Sequence, residues 1–255
     1  MFREGGRVRA RGAINPSDHR GAGSSIGHQC FGLPGWTCGP SSRAVLRVGG
    51  RLDELLSVAG APLSSAAIEV PKSLGKLGEE LASVLSRVNG FYAFESALHV
   101  RASGLVPNEP NLQEWNADDL WRKRYGAMGA GHFFFGEDLF GGQFSIKDNQ
   151  VFTFDPETGD AALFSSNLEE WADRVLLDHD VVTGFPLAHE WQLRHGSLPV
   201  GTRLVPKRPF VFGGEFSVEN LYALDAVEAM RYRADIALQI QNLPESAEVT
   251  FKVVE

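Results

Sequence analysis

Cysteine is scarce in this chain of 255 residues, which has only Cys30 and Cys38. Their spacing matches neither the Cys-x-x-Cys pairs of zinc sites nor a disulfide framework, so free thiols in a reducing cytoplasm are expected. No apolar run approaches the roughly 18 residues that span a bilayer. The N-terminal arginines lead into no apolar stretch, so a secretory leader is not expected. Positive charge is also short, with a formal net charge of −8. Such a balance repels nucleic-acid phosphates and anionic membrane surfaces and attracts basic proteins.

That charge is unevenly spread. Residues 1–50 hold seven arginines against Glu4 and Asp18, a balance of +5 that leaves −13 on the other 205 residues. The same segment is rich in Gly, Ser and Pro and has no helix or strand period, so it lacks the apolar surface to offset the entropy of ordering it. The expected organisation is a poorly ordered Arg/Gly-rich tail over residues 1–50 and a single domain over 51–255.

Within the domain, Leu52 to Val58 reads as a short helix. Leu77, Leu81, Val84, Leu85 and Val88 fall on one face of another, closed by Asn89-Gly90 as a left-handed cap. The second half of the dense run FYAFESALHV is expected to enter a strand. Leu112, Trp115, Leu120 and Trp121 anchor a helical region in which Asn116 is expected to cap a new turn, ending near Gly126. Four short strands follow, His132–Phe135, Gln143–Ile146, Val151–Phe154 and Ala161–Phe164, separated by turn residues, as an antiparallel meander.

Ser166 to Glu169 has the pattern of a capping box, opening a helix with Leu168, Trp171, Ala172, Val175 and Leu176 on its buried stripe. A further helix carries Leu187 and Trp191 and stops at Gly196. Extended structure is expected at Thr202–Val205, Phe210–Phe212 and Glu215–Leu221. A helix over Asp225–Gln241 and a strand over Glu248–Val253 close the chain. Helices flanking one contiguous block of hairpins define an α+β class with a mostly antiparallel sheet.

The motifs that suggest chemistry are weak. Gly23-Ser24-Ser25-Ile26-Gly27 spells a nucleophile elbow, but no apolar strand precedes it and no helix follows. His179, His189 and His195 lack the three- or four-residue spacing that would converge on a metal along a helix. Asp155 to Gly159 lacks the ligand register of a calcium-binding EF-hand loop.

What remains is an acidic collection at the hairpin ends: Glu137, Asp138, Asp155, Glu157 and Asp160. Turn charges of this kind face water or form the rim of a protein-binding surface. A hydrolase is the chemical alternative, with Asp138 and Asp155 beside a histidine such as His132. Phe133 to Phe135 must point at least one ring out of the strand's other face.

Several segments together carry a family resemblance: the helix ending Val88-Asn89-Gly90, FYAFESALHV, FGEDLFGGQFSI, FDPETGD, the Trp171 helix, LVPKRPFVFGGEF and ADIALQIQNLPESAEV. They cover roughly residues 72–255. In order and spacing they resemble the SUKH superfamily, which includes the fungal regulator of cell-wall synthesis and many bacterial immunity proteins. The resemblance implies helices packed around an antiparallel sheet, and a protein that docks partner proteins, commonly a toxin that it neutralises in the cytoplasm. It carries over no catalytic residue, metal or cofactor. The expectation is a non-catalytic protein-binding domain with a basic toxin as partner, and the alternative within the family is a signalling scaffold.

Overall fold

The computed structural model describes residues 49–241, together with a short strand pair formed by β1 (Val8–Arg9) and β10 (Glu248–Val249). Apart from Val8–Arg9 and Gly49–Gly50, the tail expected over residues 1–50, including Cys30, Cys38 and the Gly23–Gly27 motif, lies outside the described residues, as does the remainder of the strand expected to Val253.

Two helices open the domain, α1 (Arg51–Ser57) and α2 (Gly75–Arg87), the second entered through a 3-10 turn at Lys72–Leu74. Leu77, Leu81, Val84 and Leu85 are buried on α2, as their spacing requires. The left-handed residue that follows is Gly90, at φ +69°. A Cβ there would come within 2.6 Å of the Ala102 backbone, so only glycine allows the chain to pass this close. Asn89 fixes the crossing from the other side: its side chain accepts from the Ser103 amide at 2.8 Å and donates to the carbonyls of Ser103 and Ala66.

FYAFESALHV departs from expectation by forming a complete hairpin, β2 (Phe91–Ala93) and β3 (Leu98–Val100). Its turn was hidden because Phe94, Glu95 and Ser96 all take positive φ without glycine, the signal by which such turns are recognised. Beyond it, α3 (Leu112–Trp115) is capped by Asn111, a π-helical turn spans Asp118–Arg122, and α4 (Lys123–Tyr125) stops at Gly126. Asn116 does not cap the new turn. It holds both backbone groups of Phe134 instead, donating to the carbonyl at 2.7 Å and accepting from the amide at 2.8 Å.

The meander forms as expected, with β4 (Phe133–Glu137), β5 (Gln143–Lys147), β6 (Gln150–Phe154) and β7 (Ala161–Ser165). With β2 and β3 it makes one six-stranded antiparallel sheet in the order β2-β3-β4-β5-β6-β7. The β5–β6 connection is the tight two-residue turn Asp148-Asn149, both at positive φ, a type whose twist matches that of the strands.

Both faces of the sheet are covered. Phe135, Phe144 and Ile146 pack with Leu55, Leu81, Leu85 and Trp171, while Phe134 and Phe154 pack with Trp115, Trp121, Tyr125 and Met230. Adjacent Phe134 and Phe135 therefore enter opposite cores, as strand alternation demands, and half-buried Phe133 packs against the first. Truncating a fully buried aromatic such as Trp171 to alanine would cost about 3–5 kcal/mol.

The second half supplies α5 (Leu168–Leu177), α6 (His179–Thr183), α7 (Phe185–His195), the hairpin β8 (Thr202–Pro206) with β9 (Leu221–Asp225), and α8 (Ala226–Gln241). The capping arrangement of α5 sits one residue later than its sequence pattern suggests. Asn167 is the cap and accepts from the Glu170 amide, while the Glu170 carboxylate takes the Ser166 amide and hydroxyl. Phe210–Phe212 is a 3-10 turn, not a strand, and the extended run expected over Glu215–Leu221 is a bend and a second 3-10 turn, Val218–Asn220, before β9 begins. Gly213 and Gly214, with the Asn220 side chain on the Arg208 backbone, fold this segment back on itself and prevent it from pairing. Among the described residues, no helix is long and apolar enough to cross a membrane.

Candidate functional site

Two of the five acidic positions turn inward. β3 and β4 pair in the register His99↔Glu137, and alternation puts His99 and Arg101 on one face of that ladder. Glu137 is 1% exposed and stands at the centre of a buried ionic cluster. One of its oxygens, Oε1, lies 2.7 Å from Arg101 Nη2, 2.9 Å from Arg203 Nη2 and 3.0 Å from His99 Nδ1. The other accepts from Gln143 Nε2 at 3.0 Å, and Gln143 in turn accepts from the indole of Trp115 at 2.8 Å.

Aromatic faces wall the cluster. The Arg101 guanidinium lies 3.3 Å from the centroid of Trp115, and the rings of Tyr92 and His99 stack at 4.3 Å. The Tyr92 hydroxyl donates to Glu109, which lies 3.7 Å from His99 Nε2 and belongs to the loop between β3 and α3.

The electrostatics follow from this geometry. Burial would raise the Glu137 carboxyl, but Arg101 and Arg203 outweigh it and hold the group well below the ordinary carboxylate range. Burial pushes His99 down to about 3, against the pull of its bond to Glu137, so the imidazole is neutral and its Nδ1–H donates to the carboxylate. Glu109 is raised by burial, with the Tyr92 bond opposing. A buried carboxylate this firmly ionised and already contacting four side chains is a poor proton acceptor. It is well built to lock β3, β4, β5 and β8 together.

The other acidic residues occupy a second region. Asp138, half-buried, curls over its own turn, where its Oδ1 accepts from the amides of Phe140 and Gly142 at 2.8 Å each. Burial raises it to about 7, with those amides and then Arg233 and Arg203 opposing. Glu157 is 4% exposed, and its Oε2 accepts from the Val211 amide at 2.8 Å, with the Phe210 amide also directed at the carboxylate. Burial raises it to about 7 as well.

Arg233, buried on α8, donates to the carbonyls of Phe140 and Ala229 and is close enough to act on Asp138, Asp155 and Glu157. Its Nη2 lies over Gly141, where a Cβ would come within 2.7 Å of it. Asp155 is exposed and makes an Asx turn to the Glu157 amide, and Asp160 is exposed.

The five expected rim carboxylates are thus divided by the fold. Asp155 and Asp160 face solvent, Asp138 is half withdrawn, and Glu137 and Glu157 are interior and point away from any partner. The physical reason is that the hairpin ends are roofed by β8, by the Phe210–Phe212 turn and by α8, all distant in sequence. His132, the histidine of the hydrolase alternative, contacts Ser145 at 2.8 Å and Lys147 at 3.4 Å, not Asp138 or Asp155. Burial lowers it to about 4. Among the described residues, the buried imidazole that meets a carboxylate is His99.

His99, Arg101, Glu109, Arg203 and Arg233 went unread in the sequence. The signal was there in part, since His99, Arg101 and Arg203 each interrupt an otherwise apolar strand run. Among the described residues, no group of three or more His, Cys, Asp or Glu side chains could hold a metal ion.

Comparison with known proteins adds little. No family model matches the chain, and no curated protein matches it. The chain is similar to a solved structure titled "Crystal structure of Atu4351 from Agrobacterium tumefaciens", at 16% identity over 76% of this chain and 95% of that one, with a TM-score of 0.45. A likeness this loose carries no argument about fold or function.

Proposed function

We propose that this chain is a SUKH-type, non-catalytic protein-binding domain, an immunity protein that neutralises a basic toxin in the cytoplasm by binding it directly. The observation that carries this reading is where the negative charge sits. The fully buried arginines, Arg101, Arg203 and Arg233, are matched in number by the buried carboxylates Glu109, Glu137 and Glu157. The acid excess of the domain therefore lies on its accessible surface, where it can act on a partner. Of the interior groups that resemble acid–base machinery, Glu137 is held by two arginines, and Asp138 and one oxygen of Glu157 accept from backbone amides.

The test is co-expression of the full chain with the toxin domain encoded beside its gene. The expected result is survival of the cells and a stable complex whose association slows as salt rises, with Glu157→Gln and Asp138→Asn variants still protecting. A toxin that stays active and unbound in the presence of the chain would refute the reading. Loss of protection in a folded Glu157→Gln variant would favour chemistry over binding.

A further inference from the structure

The two edges of the six-stranded sheet differ. At one edge β2 is closed by the chain that precedes it, with the Tyr92 carbonyl accepting from the Gly60 amide at 2.8 Å and the carbonyls of Asn89 and Gly90 from the Leu63 amide at 3.0 and 3.1 Å. At the other, β7 pairs with β6 alone, and among the described residues no backbone group bonds to its outer side.

The register shows which groups are left over. Asp155 and Asp160 face each other as a hydrogen-bonded pair, the Asp155 amide donating to the Asp160 carbonyl at 2.9 Å. Counting on through Phe154↔Ala161, Thr153↔Ala162 and Phe152↔Leu163, every second pair turns its backbone groups inward. Ala162 therefore bonds to β6, while Ala161 and Leu163 aim their amides and carbonyls outward. These residues are exposed, and past Leu163 the ladder shifts register.

An open edge is a template for another strand, and folded proteins ordinarily blunt it with charge, proline or a covering segment. Ala161 to Ser165 carries neither charge nor proline, and Leu163 is 57% exposed.

The strand that matches these outward groups is β7 itself. Laid antiparallel about a two-fold axis at Ala162, Ala161 of each copy faces Leu163 of the other in two hydrogen-bonded pairs, and every outward group of the two residues is satisfied. The Ala162 side chains meet on the axis at the close, non-bonded position, where small residues fit, and the Leu163 side chains become diagonal neighbours. The same register sets Asp160 opposite Phe164 of the other copy, and the Arg174 guanidinium lies 5.7 Å from the centroid of that ring. Arg174 is half exposed and uses its Nη2 on Glu170, while the Asp160 carboxylate has no partner among the described residues. Unlike charges thus meet at each end of the joint, and no like charges face each other along it. Because the β2 edge is already closed, pairing stops at two copies.

We propose that β7 is a dimerisation edge, at which two copies of this chain join their sheets antiparallel about Ala162. The proposal goes beyond the toxin-binding reading and does not depend on it.

The test is sedimentation of the full-length chain over a concentration series, with oxidative cross-linking of Ala162→Cys in a background carrying Cys30→Ser and Cys38→Ser. Leu163→Lys and Leu163→Pro probe the edge, each shown to be folded by circular dichroism and melting. Both spare the β6–β7 bonds, because the Leu163 amide faces outward. Val181→Lys, at a position 77% exposed on α6, is the control. The expected result is a concentration-dependent dimer that the Ala162→Cys variant locks by a disulfide. Its dissociation constant should rise about tenfold or more in Leu163→Lys and in Leu163→Pro, as loss of a central contact does, and should not change in the control. In hydrogen exchange the Ala161 and Leu163 amides should become protected as the dimer forms.

A chain that stays monomeric throughout the series would overturn the proposal. So would a dimer that both Leu163 variants leave intact, since its interface would lie elsewhere. Protection of the Ala161 and Leu163 amides in the monomer would give the edge to residues 1–50 or 242–255 of the same chain, and protection that appears only when the neighbouring toxin is added would give it to a foreign strand. Either result removes the second copy.

Discussion

Glu137, in β4, and Glu157, in the turn between β6 and β7, are both interior carboxylates, yet the protein drives them in opposite directions. Glu137 faces Arg101 and Arg203 and is held far down, while Glu157 faces the amides of Val211 and Phe210, with Arg233 less directly placed, and rises to about 7. Burial acts first on both. Two guanidiniums against one Oε1 overcome the desolvation cost, and amide dipoles with one offset guanidinium do not. Backbone hydrogen bonds alone therefore leave a buried glutamate close to neutrality, and full ionisation here needs opposing charge in contact.

Replacing each by glutamine breaks the comparison at its centre, because the shape is kept and the charge removed. The larger effect is expected at Glu137. Glu137→Gln leaves Arg101 and Arg203 buried without a counter-charge, and the expected loss is about 3–5 kcal/mol of unfolding free energy at neutral pH, read by urea denaturation. Its sign with pH follows from the depressed group. The wild-type contribution is present above the unfolded glutamate value and is lost as pH falls through the folded one, so the penalty of the variant shrinks in acid. A Glu137→Gln protein as stable as the parent at neutral pH would mean that the cluster is not what joins β3, β4, β5 and β8.

Glu157→Gln is expected to behave in the opposite way. A group raised to about 7 favours the folded state below its unfolded value and loses that advantage as pH climbs through the folded one. The wild type thus gives up roughly 3 kcal/mol between about pH 4.5 and 7 that the variant does not. Relative to the parent, Glu157→Gln should gain stability across this window and stay level above it. Denaturation curves at several pH values measure the difference, and a constant offset arising from the altered side chain cancels from it. A flat difference would show that Glu157 is ionised through the whole range.

Much of the scaffold was legible in the sequence and little of this chemistry was. β4 to β7, α2, α5, α7 and α8 announce themselves through period and turn residues, because their local preferences agree with the fold. The β2–β3 hairpin stayed hidden because Phe94, Glu95 and Ser96 carry no turn signature and are held by α6 and α7. Phe210–Phe212 reads as a strand because its composition is aromatic, and its coiling is imposed by Arg208, Gly213 and Asn220. The acidic residues were picked out as a group but assigned to solvent, since a sequence shows that Glu137 ends a strand and not that Arg203, 66 positions later, will roof it. Interior charge pairing is a tertiary fact, and only an unexpected polar residue in an apolar strand hints at it.

The smallest effect sharpens the contrast from outside. Asp160 lies three residues beyond Glu157, in the same turn, but is exposed and donates its backbone amide to Thr158 Oγ1 at 3.1 Å without committing its carboxylate to a buried partner. Asp160→Asn should therefore leave unfolding free energy at neutral pH within about 0.5 kcal/mol of the parent, as surface substitutions away from caps and ion networks generally do. Thermal or urea denaturation of the single variant beside Glu157→Gln measures it. A loss of several kcal/mol at Asp160 would mean that its carboxylate is held by the interior as Glu157 is, and the division between interior and rim across this hairpin end would fall.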